Sequence, residues 1–290
     1  YAKGTLTITK AEKAVVKITG NTLTTEYTGS EQKVTGYEIS NPDDTITVTP
    51  KPGLKAEAKG TDVDKYDMGL SAEDFTASSP NYEEIVIDVT DGWLEITPVK
   101  NEVIVTITGN TKTVTYDGTE QSVEGYTVDV NGLPITVEAK DGVKAEARGT
   151  EAGTYTMGLK ESDFKATSQN YTNIKLVVTD GWLKIDPITD TVTVTIVENA
   201  DTVEYDGQPH SVKGYTSVTS DHTLYDVTES VKETETAAWT ATGTDAGAYP
   251  VGIKAGDFEN TNKNFANVEF VIVDGELVIT RRGENPESPV

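Results

Sequence analysis

A period of 89 residues governs this chain and limits what it can fold into. Tyr27, Tyr116 and Tyr205 stand 89 apart, inside "EYTG", "TYDG" and "EYDG". "VTGY", "VEGY" and "VKGY" follow, ending at Tyr37, Tyr126 and Tyr215. Then come "GTDVDKYDMGL", "GTEAGTYTMGL" and "GTDAGAYPVGI", the "DF" pairs ending at Phe75, Phe164 and Phe258, and "NY", "NY", "NF" at Asn81, Asn170 and Asn264. Each unit closes on "DGWLEITP", "DGWLKIDP" or "DGELVIT". Between Leu54–Leu70 and Val143–Leu159, 10 of 17 aligned residues are identical. A self-similarity of this kind decides architecture before any single residue does.

The boundaries follow from the motifs. Residues 11–99, 100–188 and 189–281 are three repeats, and 282–290 are a linker. Repeat 3 carries five extra residues within 216–238. "GTLTITK" matches the closing motif, so residues 1–10 read as the last strand of a preceding, truncated copy. The chain starts in mid-pattern and ends in "RRGENPESPV", which suggests a piece excised from something longer. Localisation signals would then lie outside it.

Within a unit the dominant period is two. "NIKLVVTDGWLKI" sets Ile174, Leu176 and Val178 on one face, and Ile85, Ile87, Val89 and Val268, Phe270, Ile272 repeat the pattern. One apolar face with a variable opposite face marks a half-buried strand. "VIVTITGNTKTVTY" reads as a hairpin about Gly109-Asn110. "LSAEDF" and its copies allow at most one short helical turn per unit. Seven or eight short strands are best buried as two packed antiparallel sheets, an Ig-like β-sandwich. The expected class is all-β, three tandem sandwiches, with β-grasp-like units as the alternative. About 90 residues suffice for a closed core. The junctions "ITPVKNEVIV" and "IDPITDTVTV" hold Pro98 and Pro187 and no Gly/Ser run. Such connectors are semi-rigid, and a monomeric rod of neighbouring repeats is expected.

Composition removes several function classes. A formal net charge of −24 opposes nucleic acid and anionic lipid, and serves solubility. With no cysteine there are no disulfides, thiolate nucleophiles or Cys-ligated metals. No apolar run approaches the roughly 20 residues of a membrane span. Membrane insertion of this segment is therefore not expected.

Catalytic groups are equally sparse. The only histidines, His210 and His222, are both in repeat 3 and in turn-like sequence. Asp91, Asp180 and Asp274 precede glycine, a turn signature, and Asp74, Asp163 and Asp257 sit in the short helical turn. Neither set reads as a carboxylate pair for glycoside hydrolysis. Asp62, Asp64 and Asp67 have spacing suited to calcium, but repeats 2 and 3 keep one acidic residue of three, Glu151 and Asp245. An isopeptide cross-link needs a recurring lysine, yet Lys55 and Lys144 align with Ala238. The recurring aromatics, Tyr66, Tyr155 and Tyr249 among them, are core residues, with this tyrosine hydroxyl tied to backbone after a turn. Binding is sought where the copies differ: His222, Tyr225 and Trp239, at or beside the insertion, are the candidate ligand contacts. Trp239 aligns with Ala56 and Ala145, and Glu276 with Trp93 and Trp182. That exchange predicts one sheet-face patch covered by a tryptophan from either side.

"TVTYDG…SVEGY…GTEAGTYTMGL…NYTNIKLVVTDGWLKIDP" resembles the YDG or MBG-like β-repeats of large bacterial, Gram-positive-type, surface proteins. The likeness covers roughly residues 11 to 281. It implies a secreted or wall-attached extracellular stalk or adhesin, with no catalytic activity and no cofactor. Repeat 1 departs by Thr28 in place of Asp, and repeat 3 by its insertion and Glu276. Two functions follow: a spacer that holds an adhesive head away from the cell, or a module that binds host glycan or protein, through repeat 3.

Overall fold

The computed structural model describes residues 3–234 and 239–283. Ala238, the end of the insertion at 235 and 236, and residues 284–290 of the expected linker lie outside the described residues.

Repeat 1 shows how the pattern folds. Its strands are β1 (Ala11–Gly20), β2 (Thr22–Glu26), β3 (Gln32–Thr35), β4 (Tyr37–Ser40), β5 (Thr47–Pro50), β6 (Glu57–Gly60), β7 (Lys65–Asp67), β8 (Phe75–Ser78), β9 (Tyr82–Thr90) and β10 (Trp93–Thr97). β1 buries Ala14, Val16 and Ile18 and exposes the residues between, as the period-two reading requires. It lies between β4, antiparallel, and β9, parallel. β10 lies between β2, parallel, and β7, antiparallel. β3 pairs with β6 and β5 with β8, both antiparallel.

Two small cores result. Val16, Ile18, Ile46, Leu70 and Phe75 lie between the β4-β1-β9 sheet and the β5-β8 pair. Ala58, Leu94 and Ile96 lie between the β2-β10-β7 sheet and the β3-β6 pair, and Met68 packs against both cores. Leu94 and Ile96, with Leu183, Ile185, Leu277 and Ile279, are at most 2% exposed. Each such side chain contributes about 1.5–3 kcal/mol by burial, so the closing strand is what completes the second core.

The architecture is all-β and of sandwich type, with ten strands in repeat 1 where seven or eight were expected, and with two further differences in topology. The sheets are mixed, because β1 runs parallel to β9 and β2 parallel to β10. Nor is Gly-Asn a hairpin. β1 and β2 are successive segments of one advancing strand, which leaves one sheet at Gly20-Asn21 and enters the other. β9 and β10 do the same at Asp91-Gly92, so Asp-Gly reverses nothing either. The two strands cross where both are glycine. A Cβ on Gly20 would lie 2.2 Å from the Gly92 nitrogen, and one on Gly109 would lie 2.3 Å from the Gly181 nitrogen. Asn21 fixes the jog: its N–H donates to the Gly36 carbonyl, its side chain to Thr35 O, and its carbonyl accepts from Trp93 N. Asn110 and Asn199 repeat the side-chain bond, to Glu124 O and Lys213 O. The aspartate of Asp-Gly braces the earlier loop that follows β7, its carboxylate accepting from Gly69 and Leu70 N in repeat 1 and from Gly158 and Leu159 N in repeat 2.

Repeat 3 replaces the first glycine by Glu198, beside a β-bulge at Val197/Glu198. The carboxylate is 5% exposed with its residue and accepts from Ile253 N (2.5 Å) and Gly275 N (2.7 Å). Those amides correspond to ones that Asp91 caps in repeat 1. The brace has moved from one crossing strand to the other.

Short 3-10 turns at Ala72–Asp74, Glu161–Asp163 and Ala255–Asp257 fit the expected helical turn. Repeat 3 has a second, α1 (Val227–Ser230), within its insertion. A β-grasp unit needs a long helix across its sheet, and α1, of four residues, is the longest among the described residues. The hydroxyl part of the tyrosine reading holds, on residues that are half-buried and not core: Tyr66, Tyr155 and Tyr249 hydroxyls donate to the carbonyls of Asp62, Glu151 and Asp245. Each ring covers Gly60, Gly149 or Gly243, where a Cβ would come within 2.3 Å of it. The tryptophan exchange is overturned. Trp239 is a core residue stacked on Phe258, whereas Trp93 lies outside with the Lys65 ammonium 4.6 Å above its ring.

The chain divides into two compact units. One comprises residues 1–107, 128–143 and 160–178, and the other 108–127, 144–159 and 179–290. The first holds repeat 1 with part of repeat 2, the second the rest of repeat 2 with repeat 3. Both junctions between repeats therefore fall inside a unit.

Gly92→Ala should be destabilising by about 1–3 kcal/mol, because its methyl would meet Asn21 O at 2.5 Å and Met68 Sδ at 2.7 Å. Gly256→Ala, with nothing within 4 Å, should be near neutral. Urea unfolding of both variants checks the contrast.

Candidate functional site

The second and third copies of the "NY/NY/NF" motif make the contact between repeats. In the first joint, Asn170 of repeat 2 reaches back into repeat 1. Its Oδ1 accepts from Val63 N (2.8 Å) and its Nδ2 donates to Asp62 Oδ1 (2.9 Å). Its backbone carbonyl accepts from Val99 N, and Val99 O from Thr172 N, so the linker residue pairs as a one-residue strand. Next to it the Tyr171 ring meets Tyr27 edge to face, centroids 5.7 Å apart. Gln169 adds a bond to Val63 O.

The second joint repeats the asparagine, linker and ring contacts. Asn264 Oδ1 accepts from Ala152 N (2.6 Å), and Nδ2 donates to Glu151 Oε2 (2.7 Å). Asn264 O accepts from Ile188 N, and Ile188 O from Ala266 N. Phe265 meets Tyr116 edge to face at 5.9 Å. Asn170 and Asn264 are 3% and 2% exposed. A buried primary amide is tolerated when its donor and acceptor are both used, and here both are used on the preceding repeat. The sequence motif supplies the residues at each step: a tyrosine of "Y(D/T)G", and an acidic residue followed by a free N–H in "GT(D/E)".

Burial raises the hydroxyl pKa of Tyr27, helped by Tyr171 and the Asp62 carboxylate and opposed by Asn170. Tyr116 is raised by burial and by Glu151, opposed by Asn264. The upward shift favours the neutral hydroxyl on both rings, beside the joint's carboxylate.

The three residues singled out for ligand contact have other duties. Tyr225 is 4% exposed, and its hydroxyl donates to Asn260 Oδ1 at 2.9 Å, with Ser230 O at 3.3 Å. Trp239 is 6% exposed and donates from Nε1 to Asp257 Oδ2. His222 is half-buried and accepts at Nδ1 from Leu224 N. His222 and Tyr225 both pack edge to face on Phe265 at 5.1 Å, and Leu224 lies against Gly118 of repeat 2. The insertion buttresses the second joint. Repeat 3 also carries an open cleft of about 730 Å³, lined by Tyr215, Val218, Val231, Lys232, Glu233 and Thr261. There the Glu233 carboxylate accepts from Tyr215 and pushes that hydroxyl up to about 12.

The recurring aspartates of the short turns cap backbone. Asp74, Asp163 and Asp257 accept the N–H that opens each 3-10 turn, from Ser71, Lys160 and Lys254. Asp62 is turned to Asn170, and among the described residues no three His, Asp or Glu side chains converge as a metal site. Sequence reasoning missed Asn170 and Asn264. Their signal was a polar residue recurring before an aromatic in every copy, but their partners lie 107 to 113 residues away.

No family model and no curated protein matches the chain, so the YDG-type likeness stands on the quoted motifs. Among solved structures, the N-terminal four Ig domains of Dscam1 isoform 9.44 align over 92% of this chain and 73% of theirs, at 10% identity and a TM-score of 0.20. The N-terminal eight Ig domains of Down Syndrome Cell Adhesion Molecule isoform 1.30.30 align over 92% and 40%, at 10% identity and 0.16. Overlaps this small carry no functional weight. No helix among the described residues is long and apolar enough to cross a membrane.

Asn264→Ala leaves the Ala152 N–H without its acceptor and should cost about 1–3 kcal/mol. Asn81→Ala removes the exposed copy, bonded only at the surface to Thr45, and should stay within about 0.5 kcal/mol. Urea midpoints of the two variants give the comparison.

Proposed function

We propose that the chain is an extracellular spacer from a bacterial surface protein, built of three like modules at 11–99, 100–188 and 189–281. The observation that carries this is the joint. The same asparagine and ring dock each repeat on the one before it, and the same bonds form twice. A semi-rigid rod is the use to which such a contact is suited, since a spacer must resist folding back on itself. The remaining features agree. The recurring polar residues hold turns, jogs and joints, the net charge of −24 disfavours association of neighbouring stalks, and the surface-protein motifs run through every copy. The extracellular, wall-attached location and the adhesive head are part of this proposal and rest on the motif resemblance.

Small-angle scattering of the chain tests it. A skewed distance distribution with a long tail is expected. In Asn170→Ala/Asn264→Ala that tail should shorten and blur as the joints loosen. A symmetric, compact distribution for the unaltered chain would rule out a spacer.

A further inference from the structure

The first repeat presents one side of a third joint. Asn81 and Tyr82 occupy the places of Asn170-Tyr171 and Asn264-Phe265, yet Asn81 is exposed where its copies are buried. Its carbonyl already accepts from Ala11 N (2.8 Å), the bond that Val99 and Ile188 make in the completed joints. Ala11 is therefore seated as a linker residue. The residues before it, Gly4–Thr9, spell the closing strand. Leu6 and Ile8 correspond to Leu94 and Ile96 but are 86% and 88% exposed, where all six copies are at most 2%. A cleft of about 380 Å³ opens between Ile8, Lys10, Ala11, Pro80, Asn81 and Tyr82.

We propose that this end of the molecule is a docking site for a further module of the same class, one open at its closing-strand position. Gly4–Thr9 enters that module as its last strand, in the manner of β10 between β2 and β7. Leu6 and Ile8 fill its second core, and Thr5 and Thr7 face outward like Trp93 and Glu95. The module presents to Asn81 a backbone N–H and a carboxylate, as at Val63 and Asp62 or Ala152 and Glu151. It presents to Tyr82 the ring of a "YDG" tyrosine. Strand addition supplies backbone bonds, and alternate side chains supply specificity. Two bare leucine-class side chains on an unpaired strand are otherwise an aggregation hazard. The inference rests on the geometry of the two joints and not on the spacer role.

A chimera tests it. Residues 99–180, which end just before the closing strand of repeat 2, are joined to Gly4 of the chain, so that Gly4–Thr9 is the strand available to close the added copy. Hydrogen exchange should show the added copy folded, the amides of Leu6 and Ile8 protected, and the added copy's amide at the Ala152 position protected by Asn81. Leu6→Asp/Ile8→Asp should accelerate exchange throughout the added copy by roughly 100-fold or more. Thr7→Glu, which copies the outward Glu95, should leave it folded. Asn81→Ala should expose the joint amide while the added copy stays folded. The chain's own three repeats serve as the internal standard in every case. An added copy that is unfolded in the unaltered chimera, or equally folded in Leu6→Asp/Ile8→Asp, would overturn the proposal. So would an Asn81→Ala chimera in which the joint amide keeps its protection.

Discussion

A side-chain amide buried at a repeat boundary must find both a donor and an acceptor or destabilise the fold. Asn170 and Asn264 find theirs on the preceding repeat, a backbone N–H and a carboxylate. That requirement ties the modules together. Leaving either group unpaired costs about 1–3 kcal/mol, comparable with burying one core side chain. The neighbouring rings add a contact of about 0.5–1.5 kcal/mol. Neither term is large, but each depends on geometry. An amide that donates on one side and accepts on the other fits a single orientation of its partner. The backbone pairing of Val99 and Ile188 then fixes where the chain enters the next repeat.

Inside a repeat, the corresponding constraint is the crossing of two advancing strands. They exchange sheets side by side, which demands glycine at the closest approach and an asparagine to satisfy the backbone at the jog. Repeat 3 shows that the constraint is physical and not a habit of sequence. It admits Glu198 at one glycine position, next to a bulge, and uses the carboxylate to cap the amides that an aspartate caps elsewhere. Gly275 on the other strand stays, because a Cβ there would meet Asn199 O at 2.3 Å.

Much of this was legible in the sequence, for identifiable reasons. The period of 89 and the alternation at Ile85, Ile87 and Val89 are patterns with one solution each. The tyrosine corner was legible because glycine and tyrosine recur together. Gly109-Asn110 was not. The same dipeptide suits a tight hairpin or a jog between sheets, and only the distant parallel partner strand decides. Tyr225 and Trp239 are buried in the structure, and variation between copies marks a changed core as readily as a binding surface. Asn170 and Asn264 stood in plain view as repeated residues, but their bonds cross from one repeat to the next.

The most direct test compares three amides in one unaltered molecule. Val63, Ala152 and Ala246 hold the same place in the three repeats. The first two donate to a buried asparagine of the following repeat, and Ala246 is exposed. In native-state hydrogen exchange, Val63 and Ala152 should exchange far more slowly than Ala246. Equal, fast exchange at all three would contradict the claim that the asparagine joint locks each repeat to the next.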